Sequence, residues 1–131
     1  MFDRYSEKAR RSIFFARYDA SQLGSGYIET EHLLLGLLRE DRALFVQLGI
    51  GSMEAFRKIV EARLGPAGEK ISTSVDMPLS HECKQALSYG ATDAEALGHK
   101  TIEPAHLLLG LLRIETCGAA ELLRQKGIEY R

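Results

Sequence analysis

The octapeptide His-Leu-Leu-Leu-Gly-Leu-Leu-Arg stands at residues 32–39 and again at 106–113. Sliding the chain by 74 positions and comparing 6–40 with 80–114 pairs fifteen identical residues in 35. Ser6/Ser80, Asp19/Asp93, Ala20/Ala94, Leu23/Leu97, Gly24/Gly98, Ile28/Ile102 and Glu29/Glu103 are among them. The chain is therefore an internal duplication with a period of about 75 residues, and whatever unit one copy folds into, the other folds into as well.

The unit reads as helical. Ala9, Ile13, Ala16, Ala20 and Leu23 fall on one face of a helix, and Cys83, Leu87, Gly90, Ala94 and Leu97 repeat that spacing. Ser6 and Ser80 stand where a hydroxyl caps the free amides of a first turn. Gly24 and Gly98 stand where a helix is stopped. The duplicated block follows. Thr30 is expected to cap a helix over 31–39, whereas Pro104 suits the first helical position of the second copy. Leu33, Leu34, Leu37 and Leu38 cover one broad face and Leu35 widens it, which predicts a central helix packed on several sides. Gly36 and Gly110 each cost about 1 kcal/mol relative to alanine. Close approach of a neighbouring helix is the simplest reason to keep them.

Short helices are expected over "RALFVQLGI" and "GAAELLRQKGI", stopped by Gly49 and Gly127. The first half then adds "SMEAFRKIVEARLG", with Ser52 as cap, Phe56, Ile59, Val60 and Leu64 as its stripe, and Gly65-Pro66 as its end. No counterpart follows Ile128. The expected fold is all-α: two repeats of a four-helix unit related by a pseudo-twofold, with no sequence counterpart to the last helix in the second. The units are placed at 1–64 and 79–131, with 65–78 as linker.

The 131 residues, 45% hydrophobic and 27% charged, suit one compact domain or two coupled halves. A net charge of -1 argues against a general nucleic-acid binder. No apolar run has signal-peptide or membrane-span length. Cys83 and Cys117 share no metal-ligand spacing and read as inert thiols of a reducing compartment, so a cytoplasmic protein is expected.

The doubled "TEHLLLGLLRE"-type block and the "MFDRYSEKAR" start resemble the N-terminal domain of Clp/Hsp100 unfoldases, closest to the ClpC type, over essentially the whole chain. The resemblance implies two pseudo-symmetric helical repeats in front of an ATPase ring. It implies partners that are protein substrates and adaptors, and an isolated domain that is a monomer. It implies no ATPase activity in this part, and the chain carries no G-x-x-x-x-G-K-[ST] loop. Its "GPAGEK" at 65–70 lacks the spacing and the hydroxyl. No cofactor, metal, nucleic acid or membrane is expected.

In some ClpC-type members the two repeats bind phosphorylated arginine. The resemblance puts a hydroxyl role on Ser6 and Ser80 and a carboxylate role on Glu31. A helix N-terminus can take a phosphate, and a carboxylate pairs with a guanidinium. In the second copy "TEH" becomes "PAH", so Ala105 replaces the acid, and one working site rather than two is expected. A second candidate surface is the basic face of the first helix, where Arg10, Arg11 and Tyr18 are assigned to adaptor docking. Phe14 or Phe15 is assigned to the core. Two other readings stay open: a free-standing repeat protein acting as an adaptor or stress protein, and a small enzyme built on His32 and His106. For the histidines the simpler role is a first-turn residue bonded to a nearby backbone group.

Overall fold

A computed structural model describes residues 4–72 and 76–129. Its helices in chain order are α1 (Glu7–Gln22), α2 (Thr30–Glu40), α3 (Arg42–Gln47), α4 (Met53–Leu64), α5 (His81–Ala96), α6 (Pro104–Arg113) and α7 (Gly118–Gln125). The all-α architecture is as expected, and among the described residues no helix follows α7. Positions 1–3, 73–75 and 130–131, which belong to the expected units and linker, lie outside the described residues.

Local chemistry sets the helix ends. Ser6 accepts from the Ala9 N–H at 3.0 Å and Ser80 from the Cys83 N–H at 3.1 Å, each closing a first turn. Ser52 caps α4 in the same way at 3.1 Å. Thr30, however, is not a cap. It is the first residue of α2, and the cap is Glu29, as Glu103 is for α6. Each of these glutamates accepts from the backbone of the third helical residue. That residue's imidazole accepts from the cap's own N–H: His32 Nδ1 from Glu29 at 2.9 Å, His106 Nδ1 from Glu103 at 2.8 Å. The device is a capping box with histidine in the glutamate's place.

α2 and α6 are the central helices. Leu33, Leu34, Leu35 and Leu37 are fully buried, as are Leu107 and Leu111. α1 packs along α2 and α5 along α6, and the glycines set how closely. A Cβ added at Gly36 would lie 2.1 Å from the Ser12 carbonyl oxygen, and one at Gly110 would lie 2.0 Å from that of Ala86. Both obstacles are backbone, so no rotamer change relieves them. α4 lays Phe56 and Val60 into the core against α2. Leu35 is sealed there, whereas its partner Leu109 is only half-buried. Neither aromatic assigned to the core belongs to it: Phe14 is 61% exposed, and Phe15 is half-buried with the Arg39 guanidinium 5.0 Å over its ring.

The halves are joined by crossed backbone pairs. Tyr5, just before α1, bridges to Ile102, just before α6. Leu79, just before α5, bridges to Ile28, just before α2. Ser6 N–H donates to Ile102 at 3.0 Å, and Ser80 N–H donates to Ile28 at 3.0 Å. Each first helix is thus anchored to the other half's second-helix loop, the reciprocity a pseudo-twofold requires. The chain after α4 is also tied down. Gly68 N–H bonds Leu23 and Ile71 N–H bonds Ser21, at 2.8 and 2.9 Å. Gly24, at φ +75° and with the Gly68–Glu69 backbone against it, has no room for a side chain.

Candidate functional site

The crossed pairs decide which predicted residues meet. Ser80 is bonded to Ile28, three residues before Glu31, and Ser6 is bonded to Ile102, three residues before Ala105. Ser80 and Glu31 therefore lie on one side of the joint, and Ser6 lies on the side where the acid is missing. Ser6 and Glu31 are not brought together.

A cavity of about 490 Å³ opens on the Glu31 side. Its wall includes Glu29, Glu31, His32, Arg63, Glu82 and Gly118. Ser80 is not in that wall, although Glu82, two residues further on, is. Glu31 Oε1 accepts from the Thr30 hydroxyl at 3.1 Å, and its Oε2 lies 3.9 Å from Arg63 Nε. A Cβ added at Gly118 would fall 2.0 Å from that same Oε2, so the carboxylate lies over the first turn of α7. Arg63 in turn bonds Glu121 of α7. Three elements from both halves (α2, α4 and α7) thus converge on one carboxylate and one guanidinium. Hydrogen bonding to Glu121 raises the Arg63 pKa further. Sequence reasoning found Glu31 and missed Arg63 and Gly118, which only the joint brings near it.

Burial depresses the His32 pKa to about 4, so the ring is neutral. His106 is also held down by burial, with His99 beside it. Because His106 Nδ1 already accepts a bond, its Nε2 carries the proton and donates to His99 Nδ1 at 2.7 Å. Both imidazoles serve as caps, and among the described residues no three potential ligands cluster around a metal position. Cys83 is buried and its thiol is pushed up to about 12 by desolvation. Cys117 caps α7, its sulfur accepting from the Ala120 N–H at 3.4 Å.

On the α1 face, Arg11 is held by Glu7 at 2.9 Å and by Glu40 at 2.7 Å. Arg10 is exposed. Tyr18 is 38% exposed, with Arg39 5.8 Å over its ring, and Phe14 stands beside Phe15 edge-on. Arg39 is anchored to Asp19 at 3.0 Å, as Arg113 is to Asp93 at 3.0 Å. Desolvation raises the Asp19 pKa despite Arg39 and Arg57 beside it.

These features define a duplicated helical domain with a polar cavity at the joint of its halves. Residues 4–126 match the Clp repeat (R) N-terminal domain family, and the chain belongs to that family. It is 34% identical over 132 residues to the negative regulator of genetic competence ClpC/MecB of Bacillus subtilis. That match covers 98% of this chain and 16% of the relative. It is 35% identical to the chloroplastic chaperone protein ClpC1 of Arabidopsis thaliana, covering 98% of this chain and 14% of the relative. The chain thus spans about a sixth of the length of these relatives. The N-terminal domain of the chaperone ClpD from Arabidopsis thaliana superposes with a TM-score of 0.81 at 31% identity, covering 98% of this chain and 88% of that one. The Hsp104 N-terminal domain from Candida albicans shares the fold, with a TM-score of 0.78 at 16% identity over 97% of this chain and 84% of that one. No helix among the described residues is long and apolar enough to cross a membrane.

Proposed function

We propose that this chain is the non-catalytic recognition domain of a Clp-type ATP-dependent unfoldase, docking protein substrates and adaptors for an ATPase ring in the same polypeptide. The Glu31 cavity is its ligand seat, and the cation it takes is the guanidinium of a phosphorylated arginine on a marked substrate. The observation that carries this reading is the half-buried Glu31 carboxylate in a cavity of about 490 Å³ at the joint. A docked segment is thereby concentrated near the ring. Adaptors are assigned to the α1 face, where Phe14 and Tyr18 give apolar area and Arg10 gives charge. Arg11 stands on the same face, held by Glu7 and Glu40. Two buried free thiols are consistent with a reducing, cytoplasmic setting.

Calorimetric titration with a short phosphoarginine peptide tests the seat. Selective binding over the unphosphorylated peptide, with a stoichiometry near one and loss on Glu31→Ala, is expected. Absence of binding at millimolar peptide, with the domain folded, sinks the proposal.

A further inference from the structure

The Glu31 carboxylate already has a guanidinium beside it, that of Arg63 at 3.9 Å. We infer that Arg63 is a resident competitor for Glu31 and sets which ligands the cavity accepts: those that bring an anion together with their cation. This inference rests on the reading of the Glu31 cavity as a ligand seat.

The charges of the wall carry the argument. Glu29, Glu31 and Glu82 line the cavity, and Arg63 is the cation among the lining residues, His32 being neutral. A plain guanidinium entering the cavity must take Glu31 from Arg63, and nothing it carries replaces what Arg63 loses. A ligand with a phosphate next to its guanidinium exchanges partners instead. Its cation goes to Glu31, and its anion meets the freed face of Arg63 in a charge-assisted bond. Without Arg63 the same anion would face three carboxylates and be repelled. Arg63 stays at the mouth throughout because it is also bonded to Glu121 across the joint. Arg63 is the penultimate residue of α4 and its last basic one, and its side chain is 39% exposed, so it can turn without disturbing the core.

The test is a competition between two short peptides of one sequence, one with arginine and one with phosphoarginine. Binding is measured by fluorescence anisotropy to the parent, to Arg63→Ala and to Arg63→Lys, with melting curves of all three. The parent should prefer the phosphorylated peptide. Arg63→Ala should weaken that peptide about tenfold, the scale of one charge-assisted pair, and tighten the plain one, so that the preference collapses. Arg63→Lys should restore part of it. A preference left unchanged by Arg63→Ala overturns the inference alone and leaves Arg63 as a tie between α4 and α7. An equal loss of both peptides with an unshifted melting curve also overturns it. If neither peptide binds the parent or either variant, the Glu31 seat itself is wrong and the inference falls with it.

Discussion

The two halves share a frame and differ in what is mounted on it. Both keep the serine cap of the first helix, the glycine seam between first and second helices, the glutamate–histidine cap of the second helix, and an aspartate–arginine pair at 3.0 Å. Among the described residues, α4, Glu31 and Arg63 stand in the first half without counterparts in the second, and in the second half the capping histidine pairs with another imidazole. The comparison teaches that the duplicated residues are those that hold helices together, whereas the cavity adds to them the unduplicated charges Glu31, Arg63 and Glu82 at the joint.

The largest expected effect breaks the comparison at α4. Phe56 is 1% exposed and is one of the two residues α4 buries. Phe56→Ala should cost about 4 kcal/mol in urea denaturation, from lost transfer energy and the cavity left behind. If the cost is near zero, α4 is an appendage and the second half is the complete unit.

Acid should divide the halves next. The native His32 pKa of about 4 lies below the ordinary 6.5. Above pH 6.5 neither state is protonated and the full stability is present. As pH falls, the unfolded chain binds the proton first, and stability declines until the native ring titrates near 4. The total loss is about 3 kcal/mol. His32→Gln should flatten that slope between pH 7 and pH 5, where most carboxylates are still ionised. His106→Gln should flatten it less, because Glu103 and Asp93 oppose the depression there. Equal slopes for the two variants would refute the difference in environment.

The seam should then prove common to both. Gly36→Ala and Gly110→Ala each force a Cβ onto backbone at about the same distance, 2.1 and 2.0 Å. Each should cost about 2 kcal/mol net, overpacking offset in part by alanine's better helix propensity. A stabilised variant would show that the helices separate freely and that the glycine has another role.

The repetition made this frame legible from sequence, because helix spacing, serine caps and seam glycines are local signals written twice. The α2 cap was misplaced because threonine is the commoner cap, although Glu29/Glu103 and His32/His106 recur together at a spacing of three and contain the answer. Cys117 was unreadable for a different reason. Counted from the repeated Arg39 and Arg113, Cys117 comes two residues later than the cap Asp41, so the alignment of the two caps is hidden. Phe14 was misjudged because the apolar stripe of α1 is narrow and alanine-rich, and a phenylalanine at its edge faces outward. Arg63 lies 32 residues from Glu31 and 58 from Glu121, and no periodicity links them.

The smallest effect is the sharpest on the assigned roles. Ser6 and Ser80 make the same bond at 3.0 and 3.1 Å, so Ser6→Ala and Ser80→Ala should each cost about 1 kcal/mol in thermal or urea melts. Capping alone predicts that the two variants are alike in every measurement. The crossed backbone pairs predict otherwise for ligand binding, since Ser80 lies beside the Glu31 loop and Ser6 beside the Ala105 loop. Ser80→Ala should weaken the phosphoarginine peptide, while Ser6→Ala should leave its affinity where it was. Equal stability losses with unequal binding losses would separate the hydroxyl's two roles on one frame. Equal binding as well would make both serines caps only, and would leave the anion to Arg63.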